Sequence, residues 1–220
     1  PVPPDLLRAL ARPLFHHRTS KYQKLFREVS EGLKRIFRTQ HPVYAFAASG
    51  TGAMEAAIVN FHSPGETVLV VDGGKFGERF WRIAKAYGLE VKILKVEHGE
   101  TVSPRALETE VERNPKIRSV CFNLCETSTG VTYDVEEIGR RLRGKGALLI
   151  VDAISGLAAD RFEMDRWGVD LTISGSQKGL MLPPGLAFLA VGPRARERMK
   201  EARLPRFYFD LGLYEKALRD

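Results

Sequence analysis

Short apolar runs alternate with longer amphipathic stretches along this chain, and that alternation predicts its architecture. Leucines at 6, 7 and 10 with Asp5 near the start predict a short helix over 3–11. Tyr22, Leu25, Val29, Leu33 and Ile36 keep to one face of a longer helix that Thr19 or Ser20 can cap. Residues 43–48, bounded by Pro42 and Gly50, form the first run apolar and short enough for a buried strand. Similar runs at 67–71, 119–124, 147–151, 171–173 and 185–191, and an alternating stretch at 90–96, predict six more. The unbroken aliphatic run 67–71 marks a parallel strand covered on both faces. Helices are expected from Ser49 to near His62, over 76–87, from Pro104 to about 114 with Ser103 as N-cap, from Asp134 to Arg143, and over 193–202. Strand and helix alternate throughout, which argues for an α/β fold: a mostly parallel seven-stranded sheet flanked by helices, without repeats.

Composition narrows the picture. With 220 residues, 44% of them hydrophobic, the chain can bury a substantial core as one large domain. The net charge of +7 comes from 34 Lys and Arg against 27 Asp and Glu. Those basic residues are interleaved with acids along helical faces, so they read as a solvated surface and no nucleic-acid partner is expected. No stretch is apolar and long enough to span a membrane, and the opening residues lack the order of a secretory signal, so a cytoplasmic protein is expected. Cys121 and Cys125 do not make a C-x-x-C site and are expected to be reduced and buried. The five histidines, including the adjacent His16 and His17, show no metal-ligand spacing, and no metal site is expected.

Candidate chemistry collects at the carboxyl ends of the predicted strands, where open α/β sheets place their ligands. Residues 49–53, S-G-T-G-A, are small enough to leave the first amides of a helix free to surround an anion, with Thr51 adding a hydroxyl; the competing reading is a plain tight turn. As a dinucleotide fingerprint the segment fails, because Glu55 stands where the third glycine belongs, and no P-loop lysine follows. Phe76, after the Gly73-Gly74 turn, is either an aromatic that stacks on a flat ring or ordinary core. Thr127, with Ser128, offers hydroxyls to a ring substituent or a carboxylate, or else satisfies its own loop. Asp152 closes A-L-L-I-V-D, and burying an acid there is costly without a fixed cation, either Mg²⁺ or a protonated ring nitrogen. Lys178 stands in S-G-S-Q-K-G-L-M-L-P-P-G just after the run ending at Ile173, flanked by small residues, with no acid nearby. Such a lysine either projects into water or, once its amine is deprotonated, attacks a carbonyl.

Taken together, S-G-S-Q-K-G-L-M-L-P-P-G at 174–185, V-D-A-I-S-G at 151–156, E-T-S-T-G at 126–130 and S-G-T-G-A-M-E-A at 49–56 resemble the pyridoxal 5'-phosphate enzymes of fold type I. More narrowly, the chain is similar to the class V aminotransferases of the alanine–glyoxylate and serine–glyoxylate kind. The resemblance implies that Lys178 holds the cofactor as an aldimine and, when released, shuttles a proton between Cα and C4′. Asp152 keeps the pyridine nitrogen protonated, Phe76 covers one ring face and Ile154 the other, and Thr127 bonds near the ring's phenolic oxygen. Thr51, Gly52 and Gln177 hold the phosphate, with Ala53 contributing only its N–H. Also implied are a small amino acid donor (alanine or serine), a 2-oxo acid acceptor (glyoxylate or pyruvate) and a homodimer. Residues 1–220 are then the cofactor-binding large domain, lacking most of the small C-terminal domain that carries the arginine for the substrate carboxylate. Alternatives within the fold are a phosphonate or kynurenine-type transaminase or a lyase. A cysteine desulfurase fits less well, because Gln177 stands where a histidine precedes the lysine. In a different class is a basic phosphate- or nucleotide-binding α/β module, which leaves Asp152 unexplained.

Overall fold

The computed structural model describes residues 2–217. In chain order the elements are α1 (Pro4–Leu10), α2 (Ser20–Phe37), β1 (Val43–Ala47), α3 (Gly50–Val59), β2 (Thr67–Asp72), α4 (Lys75–Ala86), β3 (Glu90–Lys95), α5 (Pro104–Arg113) and β4 (Ile117–Asn123). A small hairpin of β5 (Cys125–Glu126) and β6 (Val131–Thr132) follows, then α6 (Val135–Leu142), β7 (Leu148–Asp152), α7 (Met164–Trp167), β8 (Leu171–Gly175), β9 (Leu186–Val191), α8 (Pro193–Met199) and α9 (Leu211–Ala217). Several helix starts follow from local chemistry. The Thr19 hydroxyl accepts the Tyr22 amide at α2, Ser103 accepts the Ala106 amide at α5 with Pro104 next in line, and Asp134 accepts the Glu137 amide at α6.

Seven strands form one sheet in the order β1-β9-β8-β7-β4-β2-β3. Only β9 runs against its neighbours, pairing antiparallel with both β1 and β8, while the other pairs are parallel. Two reversals restore direction, so β1 points the same way as β8. The carboxyl ends of six strands therefore gather on one edge of the sheet, which sets the position of everything described below. The sequence pattern leaves the direction of β9 open, since an apolar run reads the same both ways.

Both faces of the sheet are covered, and side-chain alternation shows it. Val68 and Val70 of β2, Cys121 of β4 and Leu148 and Ile150 of β7 pack in one core with Met54, Ile58 and Phe80. Their neighbours Leu69, Val71, Val120, Phe122, Leu149 and Val151 pack on the other side with Leu107 and Ile138. Each fully buried side chain of this size contributes roughly 1.5–3 kcal/mol relative to exposure, which makes these two layers the main stabilising term. The long helix α2 buries only the C-terminal part of its apolar face. Its Leu33 and Phe37 are buried, whereas Tyr22, Leu25, Val29 and Ile36 stay exposed among the described residues.

Cys121 is buried and burial pushes its thiol up to about 12; Cys125 is only half-buried, because β5 lies in the surface hairpin and not in the main sheet. Among the described residues no group of three or more His, Cys, Asp or Glu is placed to hold a metal ion, and no helix is long and apolar enough to cross a membrane.

Candidate active site

Asp152 ends β7 and is 3% exposed. Its Oδ1 accepts the Ile154 amide at 2.9 Å and its Oδ2 accepts the Asn123 side-chain amide at 3.1 Å, but no lysine or arginine makes a salt bridge with it among the described residues. Burial raises its carboxyl to about 6. The Ile154 amide opposes that rise, the Glu126 charge adds to it, and the charges of Arg79 and Lys178 pull the other way. Asp152 and Lys178 therefore feel each other across the edge, as neighbouring strands β7 and β8 require.

Lys178 lies on the turn that follows β8, exposed, with no hydrogen bond or ion pair to its amine among the described residues. Ser176 organises that turn. Its amide and hydroxyl bond the Leu186 carbonyl and the Pro183 carbonyl at 2.9 and 2.6 Å, and its own carbonyl accepts the Leu182 amide. Gly179 explains why the turn can reach the loop beyond Asp152, since a Cβ there would stand 2.3 Å from the Leu157 carbonyl oxygen.

At the start of α3, the Gly52 and Ala53 amides bond back to the Ser49 carbonyl, so the free first-turn donors among the described residues are those of Gly50 and Thr51. Ile154 packs directly on this turn, because a Cβ on Gly50 would lie 2.4 Å from its Cδ1. Arg79 donates to the Thr51 hydroxyl at 3.1 Å, and its guanidinium lies over the Phe76 ring at 4.9 Å. The Thr127 hydroxyl is hydrogen-bonded to that of Ser155, joining the β4–β5 end to the loop after Asp152. Gln177 is exposed, folds back toward Gly175 and makes no hydrogen bond to α3 among the described residues.

A family model described as "Aminotransferase class-V" matches residues 7–207. The chain belongs to the class-V aminotransferase family. Among its relatives, the "Soluble hydrogenase 42 kDa subunit" of Anabaena cylindrica is 43% identical over 220 residues, covering 99% of this chain and 57% of the relative. The "L-aspartate--glyoxylate aminotransferase" of Paracoccus denitrificans is 37% identical over 96% of this chain and 54% of its own length. Of the solved structures, an alanine–glyoxylate aminotransferase from Nostoc sp. superposes with a TM-score of 0.94 at 33% identity, covering 99% of this chain and 58% of that one. The chain thus spans a little over half the length of these relatives.

Class-V aminotransferases are pyridoxal-phosphate enzymes, and two features of this chain fit that group. A buried carboxylate without a counter-cation suits a protonated ring nitrogen, and unpartnered amides at the start of α3 suit a phosphate. Sequence reasoning missed three participants. Asn123, inside a strand's apolar run, holds Asp152. Arg79 was signalled by its spacing, three residues after Phe76 on one helix face. Glu126, the first letter of E-T-S-T-G, is fully buried although its neighbours read as a solvated loop.

Proposed function

We propose that this chain is the cofactor-binding large domain of a homodimeric pyridoxal-phosphate aminotransferase that moves an amino group from a small amino acid, alanine or serine, to glyoxylate or pyruvate. The observation that carries the reading is the pairing, on adjacent strand ends, of a buried carboxylate that lacks a cation with an unpaired lysine amine. The substrate class is supported by the similar aminotransferases, which include the "Serine--glyoxylate aminotransferase" of Arabidopsis thaliana at 32% identity over 98% of this chain.

Bound pyridoxal phosphate supplies a sink for the electron pair left when the amino acid's α-carbon loses its proton. The residues of this chain do the rest. Lys178 Nζ would hold the cofactor through its aldehyde carbon, the aldehyde oxygen leaving as water, and once displaced by the substrate amine would accept and return the α-proton. Asp152 would keep a proton on the ring nitrogen, and Asn123 and the Ile154 amide hold its carboxylate in place. Phe76 and Ile154 would cover the ring and exclude water, and Thr127 would bond the ring oxygen. The Gly50 and Thr51 amides and the Thr51 hydroxyl would hold the phosphate, with Gly52 and Gln177 beside them and Arg79 bonding Thr51; the Ala53 N–H, turned back to the Ser49 carbonyl, would not take part.

The test is spectroscopic. The purified protein should be yellow, and alanine or serine should bleach the visible band, which glyoxylate or pyruvate then restores. A protein that takes up the cofactor but responds to no amino acid and 2-oxo acid pair would refute the aminotransferase reading.

A further inference from the structure

Helix α4 begins without a local cap. Its N-cap residue, Gly74, has no side chain, and the amides of its first turn are satisfied from across the sheet. The Glu126 carboxylate, 50 residues away in sequence, accepts the Phe76 amide at 3.1 Å and the Gly77 amide at 3.0 Å. It also accepts the Ser128 amide at 3.1 Å and the Ser128 hydroxyl at 2.7 Å, and that hydroxyl in turn accepts the Lys75 amide at 2.9 Å. Glu126 is 0% exposed and has no lysine or arginine partner among the described residues, so amide and hydroxyl dipoles alone balance its charge. An ionised carboxylate buried this way is costly unless every lone pair is used. Capping α4 alone needs nothing so expensive, since a serine or aspartate at the N-cap does it locally. Glycine stands there instead, and a Cβ at Gly74 would lie 2.7 Å from the Glu126 carboxyl carbon. The helix start has given up its own cap so that the distant carboxylate can enter.

We propose that Glu126 is a positioning residue that clasps two strand ends together, fixing the Phe76 ring and the Thr127 hydroxyl in one geometry toward the cofactor. On one side the carboxylate pins the backbone of Phe76, whose ring lies under the Arg79 guanidinium that also bonds Thr51. On the other it holds Ser128, so Thr127 is anchored at both neighbours. Phe76 opens α4 just after β2 and Glu126 lies in β5 just after β4; β2 and β4 are adjacent, so the clasp joins the segments that leave two neighbouring strands. Its negative charge also acts on Asp152. This inference rests on the pyridoxal-phosphate reading above.

The test is a double-mutant cycle read by cofactor affinity, with amide hydrogen exchange as a readout that needs no cofactor. In Glu126→Gln one oxygen becomes an NH₂ that faces amide donors and cannot accept. Affinity for pyridoxal phosphate should fall about tenfold or more, and protection of the Phe76 and Gly77 amides should fall comparably in the apo-protein. In a Phe76→Ala background, where the ring is already gone, the same substitution should add much less, about threefold at most, because the two losses share one route. Glu126→Asp, which keeps the charge but withdraws it by one methylene, takes the same cycle if the glutamine variant does not fold. Full additivity with Phe76→Ala, or unchanged affinity and protection, would overturn the clasp. A wild-type protein that binds no pyridoxal phosphate would instead sink the functional reading, so the two failures are distinguishable.

Discussion

Replacing Asp152 by Asn should stabilise the cofactor-free protein at neutral pH while loosening its hold on the cofactor. The rise of the Asp152 carboxyl from 3.8 to about 6 is a little over two pH units, roughly 3 kcal/mol of differential interaction. The sign follows from the direction. A carboxyl whose folded value lies above its unfolded value favours folding fully below pH 3.8; that contribution is lost as pH rises to about 6, leaving an ionised, buried, uncompensated group. Asn keeps an acceptor for the Ile154 amide, and the Asn123 side chain can turn its amide to match. Urea denaturation of the apo-proteins between pH 4 and 8 should show the variant gaining on wild type with rising pH, by up to about 3 kcal/mol. Adding pyridoxal phosphate should reverse the order, because the ring's cation supplies what the carboxylate lacks. A difference between variant and wild type that does not change with pH would refute the reasoning.

Two further substitutions test the scaffold. His62 is fully buried; its Nδ1 donates to the Ile58 carbonyl and its Nε2 therefore accepts the Ser119 hydroxyl at 2.7 Å. Burial lowers its ring from 6.5 to about 4, so it contributes stability that is present above pH 6.5 and lost as pH falls to 4, about 3 kcal/mol in all. This slope opposes that of Asp152 over nearly the same window; His62→Gln should therefore remove the acid-side loss and let the Asp152 trend show in the urea midpoint. A variant whose midpoint keeps the wild-type pH slope would contradict this. Gly139 on α6 passes so close to α7 that a Cβ would lie 1.8 Å from the Trp167 carbonyl oxygen. Gly139→Ala should cost about 3 kcal/mol or more, read as a lowered Tm, and an unchanged Tm would show that the two helices part easily.

The architecture was legible because six predicted strands are short apolar runs and the edge strand β3 alternates, and all seven appear in the sheet. Asp152 stands out in the sequence as a lone acid closing the apolar run of β7, and Lys178 as a lysine among small residues on the turn after β8. The sequence does not disclose partners distant along the chain. E-T-S-T-G looks solvated, yet Glu126 is buried because its acceptors are used by a helix fifty residues earlier. Helix α7 is four residues long and mixes Asp165 and Arg166 with Met164 and Trp167, too short to show a period. At the start of α3 the free amides are those of Gly50 and Thr51 for a local reason, the return of the Gly52 and Ala53 amides to Ser49.

The central claim, that Lys178 and Asp152 share one cofactor site, is tested most directly by mapping the reduced cofactor. The protein is loaded with pyridoxal phosphate, treated with borohydride, digested and sequenced by mass spectrometry. The account predicts a phosphopyridoxyl group on the peptide bearing Lys178 and nowhere else in stoichiometric amount. Labelling confined to surface lysines such as Lys24 or Lys200, with Lys178 unmodified, would contradict it.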